Sequence, residues 1–374
     1  MAVYWIDITL LLFIGYGIVM TMAALAWKKM QRFTIRSAVN DSVSIIIAAR
    51  NEEKYISRCL ASILEQDYPL DKREIIVVDD QSDDRTADMV NSFSNRGVKL
   101  LQIKAGEKGG KKAALSKGIA ATQHGIIVAS DADCIFPPSW LKTLVGFRKE
   151  QDAAFVVAPV VYRKENNFLE RFQSLDFMAL QSITAVAVTR NWFNMCNGAN
   201  LLYTKEAFEK VRGFEGIDGI PTGDDMLLME KIAAAYPGKV AYCHSKEALV
   251  QTEPMNSWQS FLQQRIRWAS KSTAYQSLSI KLVLLIVYLL NLSLLVLVLE
   301  AVFYPILFLW ALLLFTGKYL LECMLMRPAS TFYGKAALMR WFGIAQPLHV
   351  VYTVAAAMLG WVRRYEWKGR SIGG

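Results

Sequence analysis

Long uncharged apolar runs lie at both ends of this chain of 374 residues, and they constrain its fold more than any other feature. The first run covers residues 8–27, which is about the length that a helix needs to cross a bilayer. Three more runs, at 282–299, 301–317 and 341–362, follow the central part of the chain. The sequence therefore predicts a folded domain, from about residue 40 to 278, between membrane helices at both ends.

The charges around the first apolar run indicate which side of a membrane the domain faces. Asp7 is the only charged side chain before the run, whereas a cleaved signal peptide carries positive charge there. Four basic residues follow it: Lys28, Lys29, Arg32 and Arg36. Because basic flanks stay in the cytoplasm, we expect an uncleaved anchor and a cytoplasmic domain, at a bacterial inner membrane.

The number of membrane crossings is left open by the sequence. Four crossings would place the basic tail at 363–370 outside the cell, against the same charge rule. Either one C-terminal segment is re-entrant or interfacial, or the tail breaks the rule, and Pro305 and Pro347 are compatible with a broken helix. The net charge of +9 reflects basic residues beside these apolar runs, and no basic face with interleaved aromatic residues indicates nucleic-acid binding.

Alternating apolar and amphipathic segments predict an α/β fold for the central domain. Runs rich in β-branched residues at 42–49, 74–78, 98–103 and 125–130 have the length of buried strands. The segments at 53–64, 86–93 and 112–121 lie between them and are predicted to be helices. Because strands that alternate with helices form βαβ units, we expect a mostly parallel, Rossmann-like sheet with flanking helices.

Acidic motifs stand at the ends of three predicted strands. Glu52 follows the first strand, Asp79 and Asp80 end the second, and the segment from Asp131 to Asp133 ends the fourth. Ligands of such sheets bind beyond the carboxyl ends of the strands. Single carboxylates are also common in turns, but the repeated placement predicts that these converge on one crevice.

Asp131 and Asp133 offer hard oxygen ligands that suit Mg²⁺ or Mn²⁺ carrying a diphosphate. Such a metal takes up negative charge as the diphosphate leaves. Lys111 and Lys112 could add positive charge nearby, but they form no P-loop, since neither is followed by Ser or Thr. No dinucleotide-binding glycine motif follows the first strand, and the scattered cysteines and histidines exclude a zinc site.

Two later segments carry further polar motifs. Asp224 and Asp225 precede a predicted helix at 226–234, where a carboxylate can cap the helix or act as a general base. Residues 258–268 have the pattern of a helix that lies along a membrane surface.

Seven motifs together resemble those of the membrane-embedded family 2 glycosyltransferases, a GT-A-fold group that includes cellulose, hyaluronan and chitin synthases and ceramide glucosyltransferases. The resemblance covers roughly residues 40–275. The motifs are ARNEE at 49–53, VDDQSDDRT at 78–86, GKKAALSKG at 110–118, SDAD at 130–133, GANLLY at 198–203, TGDD at 222–225 and QQRIRW at 263–268.

The resemblance implies how a sugar nucleotide would be held. Glu52 and Asp79, with Asp80, would hold the nucleoside, and Lys111 would lie near it. The two carboxylates of the 131–133 motif would hold the sugar nucleotide and its Mg²⁺ or Mn²⁺, the second of them as the more direct ligand.

The resemblance also implies where transfer would take place. Asp225 would be the catalytic base, with Asp224 as the other candidate. Gln264, Arg267 and Trp268 would contact the diphosphate and cover the acceptor site.

By this resemblance the chain is expected to be an inverting glycosyltransferase that moves a sugar from a UDP-sugar to a lipid or lipid-linked acceptor of the cell envelope. It is shorter than the long synthases and has TGDD where cellulose synthases have Thr-Glu-Asp. A processive polysaccharide synthase is the alternative, and a non-catalytic scaffold is a remote one.

We expect an anchor at 1–36, a GT-A domain at 37–255, an interface helix at 256–280, and a membrane region with a basic tail at 281–374.

Overall fold

The computed structural model describes residues 2–36, 38–220, 223–270, 275–362, 365–367 and 370–372. Thr222 of the TGDD motif and the tail residues Arg363, Arg364 and Lys368 lie outside these ranges. The helices of the described residues are α1 (Ala2–Lys28), α2 (Ile56–Leu64), α3 (Thr86–Asn91), α4 (Lys111–Ala120), α5 (Trp140–Gln151), α6 (Phe168–Thr189), α7 (Lys205–Lys210), α8 (Met226–Ala235), α9 (Trp258–Ser270), α10 (Leu278–Glu300), α11 (Ile306–Phe332) and α12 (Met339–Val362).

The strands of the described residues form one large sheet and two small ones. They are β1 (Val43–Ala49), β2 (Arg73–Asp79), β3 (Val98–Gln102), β4 (Ile126–Asp131), β5 (Phe155–Val157), β6 (Val160–Tyr162), β7 (Leu201–Thr204), β8 (Val240–Tyr242), β9 (Val250–Thr252), β10 (Tyr365–Trp367) and β11 (Arg370–Ile372). The large sheet has the order β3-β2-β1-β4-β7-β5-β8, β6 pairs with β9, and β10 pairs with β11.

The large sheet is mostly parallel, as the sequence predicts. Strands β1, β2, β3 and β4 run in the same direction, and β7 is antiparallel to both of its neighbours. The β-branched runs form its centre because helices cover both faces of a parallel sheet, so every position of such a strand is buried. Ile45, Ile46 and Ile47 of β1 are fully buried accordingly.

Two predicted helices differ from the observed ones for identifiable reasons. Helix α2 begins at Ile56 rather than at residue 53, because residues 51–55 form a turn in which Asn51 has a φ of 52°. Helix α11 continues through Lys318 to Phe332, although the predicted apolar run ended at residue 317. Pro305 precedes the first residue of α11 and Pro347 lies inside a continuous α12, so neither proline breaks its helix.

Within the described part of the chain, four helices are long and apolar enough to cross a membrane: Trp5–Lys28, Leu278–Glu300, Ile306–Phe332 and Ala336–Gly360. The first three pack on one another, and the last one packs both on α10 and along α9. The rings of Tyr352 and Phe261 are 5.3 Å apart, and Gly360 lies against Ala269. The two contacts are separated by the same number of residues, in the same chain direction, on each helix. The second half of α12 therefore runs parallel to α9.

Lys318 explains how α11 continues beyond the apolar run. Its ammonium donates to Glu322 Oε1 at 2.6 Å and to Gln346 Oε1 of α12 at 2.8 Å. Glu322 also accepts hydrogen bonds from Tyr16 of α1 and from Gln346. These side chains are buried, so the charges are neutralised among themselves and connect three of the apolar helices.

We expect Lys318→Met to destabilise the helices, since it leaves Glu322 buried without its cationic partner. Breaking a buried pair in this way costs about 3–5 kcal/mol. Thermal unfolding in detergent should show a lower midpoint for the single variant and a largely recovered midpoint for Lys318→Met combined with Glu322→Met. The control is Lys281→Met, at an exposed position of α10. An unchanged midpoint for Lys318→Met would contradict this account.

Candidate active site

The carboxyl ends of β1, β2 and β4 bring the first acidic motifs to one edge of the sheet. In the strand register Ala49 lies beside Asp79, and Ala48 lies beside Asp131. The expected convergence is therefore observed for these strand ends. The neighbouring loops are held together as well, since the Glu52 amide donates to Thr86 Oγ1 at 2.7 Å.

Asp79 and Asp80 are almost fully buried and support the loops around the crevice. Asp79 Oδ1 accepts from the Ser82 amide at 3.3 Å, and Asp80 Oδ1 accepts from the Gly110 amide at 2.9 Å. The Asp80 amide in turn donates to the Ala49 carbonyl at 2.8 Å. Asp80 thus fixes the start of α4, which carries Lys111.

A buried thiol beneath the crevice lies within electrostatic range of carboxylates from two motifs. Burial, together with the negative charges of Asp133, Glu52 and Asp131, raises the pKa of Cys59 well above its usual value. Cys59 is fully buried on α2 and contacts the Asp131 carbonyl through Sγ at 3.8 Å. Both Glu52 and the 131–133 motif therefore lie near Cys59, at the same edge of the sheet.

Lys111 joins two motifs that are far apart in the sequence. Its ammonium lies 2.7 Å from Asp131 Oδ1 and 3.0 Å from Asp224 Oδ2. Burial alone would lower the pKa of Lys111, but the charges of Asp131, Asp224 and Asp225 raise it well above its usual value. Lys111 therefore stays protonated and can neutralise anionic groups in the crevice.

Gly198 permits this close approach. A Cβ atom at this position would lie 2.8 Å from the Lys111 ammonium and 3.4 Å from Asp224 Oδ2. The Gly198 amide donates to Asp225 Oδ2 at 3.1 Å, and Asp225 Oδ1 accepts from the Met226 amide at 2.8 Å. Asp225 is thus held in a fixed orientation at the start of α8, where it also serves as the helix N-cap.

The residues of the 131–133 motif fit a divalent cation by their chemistry. Asp131 is partly exposed to the crevice, and Asp133 Oδ2 accepts from Thr252 Oγ1 at 3.0 Å. Among the described residues no group of three or more acidic, histidine or cysteine side chains is arranged to hold a metal ion. Two carboxylates nevertheless suffice for Mg²⁺, which takes its remaining ligands from water and substrate phosphates.

Helix α9 places the last motif over the small β6–β9 sheet. Gln264 Oε1 accepts from the Tyr162 hydroxyl at 3.4 Å, and the rings of Trp268 and Phe177 are 6.0 Å apart. Gln264, Arg267 and Trp268 are each partly buried. The predicted contacts of these three side chains with a diphosphate remain a prediction.

Arg265 is a buried cation of α9, and its role was not predicted from the sequence. Its guanidinium lies 2.7 Å from Asp176 Oδ2 of α6 and packs between the rings of Phe261 and Trp268, at 4.7 and 4.2 Å. Asp176 Oδ1 also accepts from the Tyr352 hydroxyl of α12. Phe261 and Trp268 have the sequence spacing that brings side chains to the same face of a helix as residue 265. That spacing could have indicated the contact from the sequence.

We expect Arg265→Lys to lower kcat/KM by about 10- to 100-fold, because it keeps the charge but loses the planar group that orients α9. Donor affinity and kcat should be measured separately, with turnover followed by release of the nucleoside diphosphate. The matched control is Arg96→Lys, whose guanidinium packs on Phe93 at 5.7 Å. Equal kinetics for both variants would show that Arg265 does not position the site.

The comparisons with known proteins agree with the motifs. Residues 44–212 match the family described as Glycosyl transferase family 2, so the resemblance inferred from the sequence is confirmed for this segment. The probable glycosyltransferase YdaM of Bacillus subtilis is 30% identical over 234 residues, which cover 61% of this chain and 54% of YdaM. A β-monoglucosyldiacylglycerol synthase of Synechocystis is 33% identical over 143 residues, which cover 37% of this chain and 30% of the synthase. The matches therefore span about half of these relatives or less.

A solved structure confirms the predicted fold. The mannosyltransferase PcManGT from Pyrobaculum calidifontis, in complex with GDP-Man and Mn²⁺, has a TM-score of 0.63 to this chain. The likeness covers 93% of this chain and 99% of PcManGT, at 21% sequence identity. The domain is thus a GT-A-like α/β fold, with apolar helices at both ends of the chain.

Proposed function

We propose that this chain is a glycosyltransferase that moves a sugar from a nucleotide-sugar, by default a UDP-sugar, to a lipid or lipid-linked acceptor at the cytoplasmic face of the membrane. The observation that carries this proposal is the bridge from Asp131 through Lys111 to Asp224. It connects a set of phosphate- and metal-binding groups to the loop that bears a candidate base. Direct sugar transfer requires that the donor and the base lie close together, and this bridge would bring them together.

Donor binding is assigned to the strand-end motifs. Glu52, Asp79 and Asp80 would hold the nucleoside or shape its pocket. Asp131 and Asp133 would hold Mg²⁺ or Mn²⁺, which when bound neutralises the departing diphosphate. Lys111 would add a second positive charge to the phosphates, with Gln264, Arg267 and Trp268 closing the crevice from α9.

Transfer is assigned to Asp225. A sugar or lipid hydroxyl is a poor nucleophile at neutral pH, so a carboxylate must accept its proton as the new bond forms. The amides of Gly198 and Met226 orient Asp225 for this step. A single displacement at the anomeric carbon inverts its configuration.

The membrane arrangement supports a lipid acceptor. Helix α12 packs on α10 and also runs beside α9 of the domain, so we propose that α1, α10 and α11 cross the bilayer while the second half of α12 lies at its surface. Three crossings would keep the basic tail and the domain in the cytoplasm, as the charge rule requires.

A thiol introduced at Ser94 should then resist an impermeant reagent in sealed cells. Rapid labelling would contradict the proposed cytoplasmic orientation of the domain.

A processive synthase is the second candidate, because further relatives include polysaccharide synthases. Product length separates the two candidates, since one added sugar indicates a lipid glycosyltransferase and a ladder indicates a synthase.

The test of the proposed function is a donor screen with purified protein in detergent. Release of nucleoside diphosphate is followed with Mn²⁺ or Mg²⁺ and a panel of nucleotide-sugars that includes GDP-mannose, which PcManGT binds. We expect turnover with at least one donor. No turnover with any donor in the presence of membrane lipids would favour the non-catalytic scaffold.

A further inference from the structure

A basic cluster lies beside the candidate metal site. Strands β6 and β9 are parallel neighbours, and Arg163 and Glu253 are the first residues after them. The Arg163 amide donates to the Thr252 carbonyl at 2.9 Å, while the Thr252 hydroxyl donates to Asp133. The cluster is therefore one side chain away from the 131–133 motif.

Three cations share one carboxylate in this cluster. Glu253 Oε1 lies 2.6 Å from Arg58 Nη2 and 3.4 Å from Arg163 Nη1, and Glu253 Oε2 lies 3.5 Å from Lys164 Nζ. The Glu253 side chain is only 8% exposed, whereas the three cationic side chains are 35%, 35% and 44% exposed. Glu253 can neutralise only one of the three charges, so the cluster presents excess positive charge to the solvent.

The distances from Glu253 distinguish the structural role of Arg58 from an anion-binding role of the other two cations. The short Arg58 contact is sufficient to neutralise the buried carboxylate, and it ties α2 to the end of β9. The two longer contacts add little stability, because partly exposed ion pairs contribute about 0–1 kcal/mol. Arg163 and Lys164 are thus held near Glu253 while retaining the capacity to bind an anion.

The cluster also adjoins the apolar helices. Glu165, the next residue after Lys164, pairs with Lys335 in the turn between α11 and α12. Arg171, at the start of α6, packs on the Trp341 ring of α12 at 4.7 Å. The basic cluster therefore lies between the metal-binding motif on one side and the helices that would meet the membrane on the other.

We propose that Arg163 and Lys164 bind a phosphate group carried by the lipid acceptor, beside the structural Arg58–Glu253 pair. Guanidinium groups match phosphate oxygens in two-point contacts, and the lysine adds a mobile point charge. A phosphate held there would keep the acceptor at the membrane side of the crevice, facing the donor. This inference rests on the proposed function and assigns the acceptor to the phosphate-bearing lipids.

The experiment compares two lipids with the same acyl chains, each with a free hydroxyl: phosphatidylglycerol, which has a phosphate, and diacylglycerol, which has none. Binding to the detergent-solubilised protein is measured by displacement of a fluorescent phosphatidylglycerol. The variant is Arg163→Gln with Lys164→Gln, which leaves the Arg58–Glu253 pair intact. The control is Lys149→Gln with Arg212→Gln, which removes two exposed charges elsewhere on the domain.

The wild-type chain should prefer phosphatidylglycerol, and the variant should lose at least about tenfold in affinity for it, since two charge-assisted contacts are removed. Its affinity for diacylglycerol and for the nucleotide-sugar should stay within about twofold, as should all affinities of the control. Equal wild-type binding of the two lipids would overturn the proposal. A selective loss of donor affinity would also overturn it, by assigning the cluster to the donor diphosphate. Lipid binding is measured by displacement and does not depend on turnover. A failure of the proposed function in the donor screen can therefore be distinguished from a failure of this proposal.

Discussion

Asp225→Asn should lower kcat by about 10²–10⁴, which corresponds to roughly 3–5 kcal/mol of transition-state stabilisation. The substitution keeps the size of the side chain and the acceptor for the Met226 amide, loses the acceptor for the Gly198 amide, and removes the basicity. The affinity for the nucleotide-sugar should stay within a few-fold, because the donor is assigned to the ends of β1, β2 and β4. Turnover and donor binding should be measured separately, the latter by equilibrium titration.

The neighbouring carboxylate provides the comparison. Asp224 is paired with Lys111 at 3.0 Å, so Asp224→Asn should alter donor binding through the lysine as well as turnover. If Asp225→Asn instead loses donor binding and turns over near the normal rate at saturation, then Asp225 binds the donor. Asp224 would in that case be the first candidate for the base.

Removal of the divalent metal should have the second large effect. EDTA should abolish turnover, and Mn²⁺ or Mg²⁺ should restore it. The metal contributes several kcal/mol of charge stabilisation to the leaving diphosphate, so Asp133→Asn should reduce turnover by about 10²-fold or more. It should weaken nucleotide binding too, because a neutral amide is a poorer ligand for a hard cation.

A matched control separates metal binding from a general loss of charge. Asp152→Asn makes the same change at an exposed site, where the carboxylate pairs with Lys239 at 2.6 Å. This control should retain full activity and the same response to EDTA. Full activity of the wild-type chain in excess chelator would disprove the metal-dependent mechanism.

Much of the sheet and the positions of its acidic residues could be predicted because both depend on local sequence. A β-branched run specifies a buried strand, and a carboxylate that directly follows such a run must lie at the carboxyl end of the sheet. The position of Glu52 and of the 131–133 motif at the same edge of the sheet follows from this logic. The register of β1 with β2 and β4 then brings these residues to one edge.

The remaining features depend on contacts between distant parts of the chain. Nothing near Lys111 in the sequence indicates that its ammonium meets Asp224, and nothing near Arg265 indicates Asp176. The same holds for Glu253, whose three cationic neighbours come from two different segments. A charged side chain is ambiguous in the sequence, because it can be solvated, paired or catalytic, and only the folded chain distinguishes these states.

The Asp176 contacts carry a consequence for any attempt to divide this protein. Asp176 belongs to the part of the chain with the glycosyltransferase motifs, yet its carboxylate joins Arg265 of α9 to Tyr352 of α12. A shortened chain that ends before α10 would lose Tyr352 and expose the apolar side of α9. The domain with the glycosyltransferase motifs and the apolar helices are thus not independent units, because removing α10, α11 and α12 would also alter α9, which packs against α12.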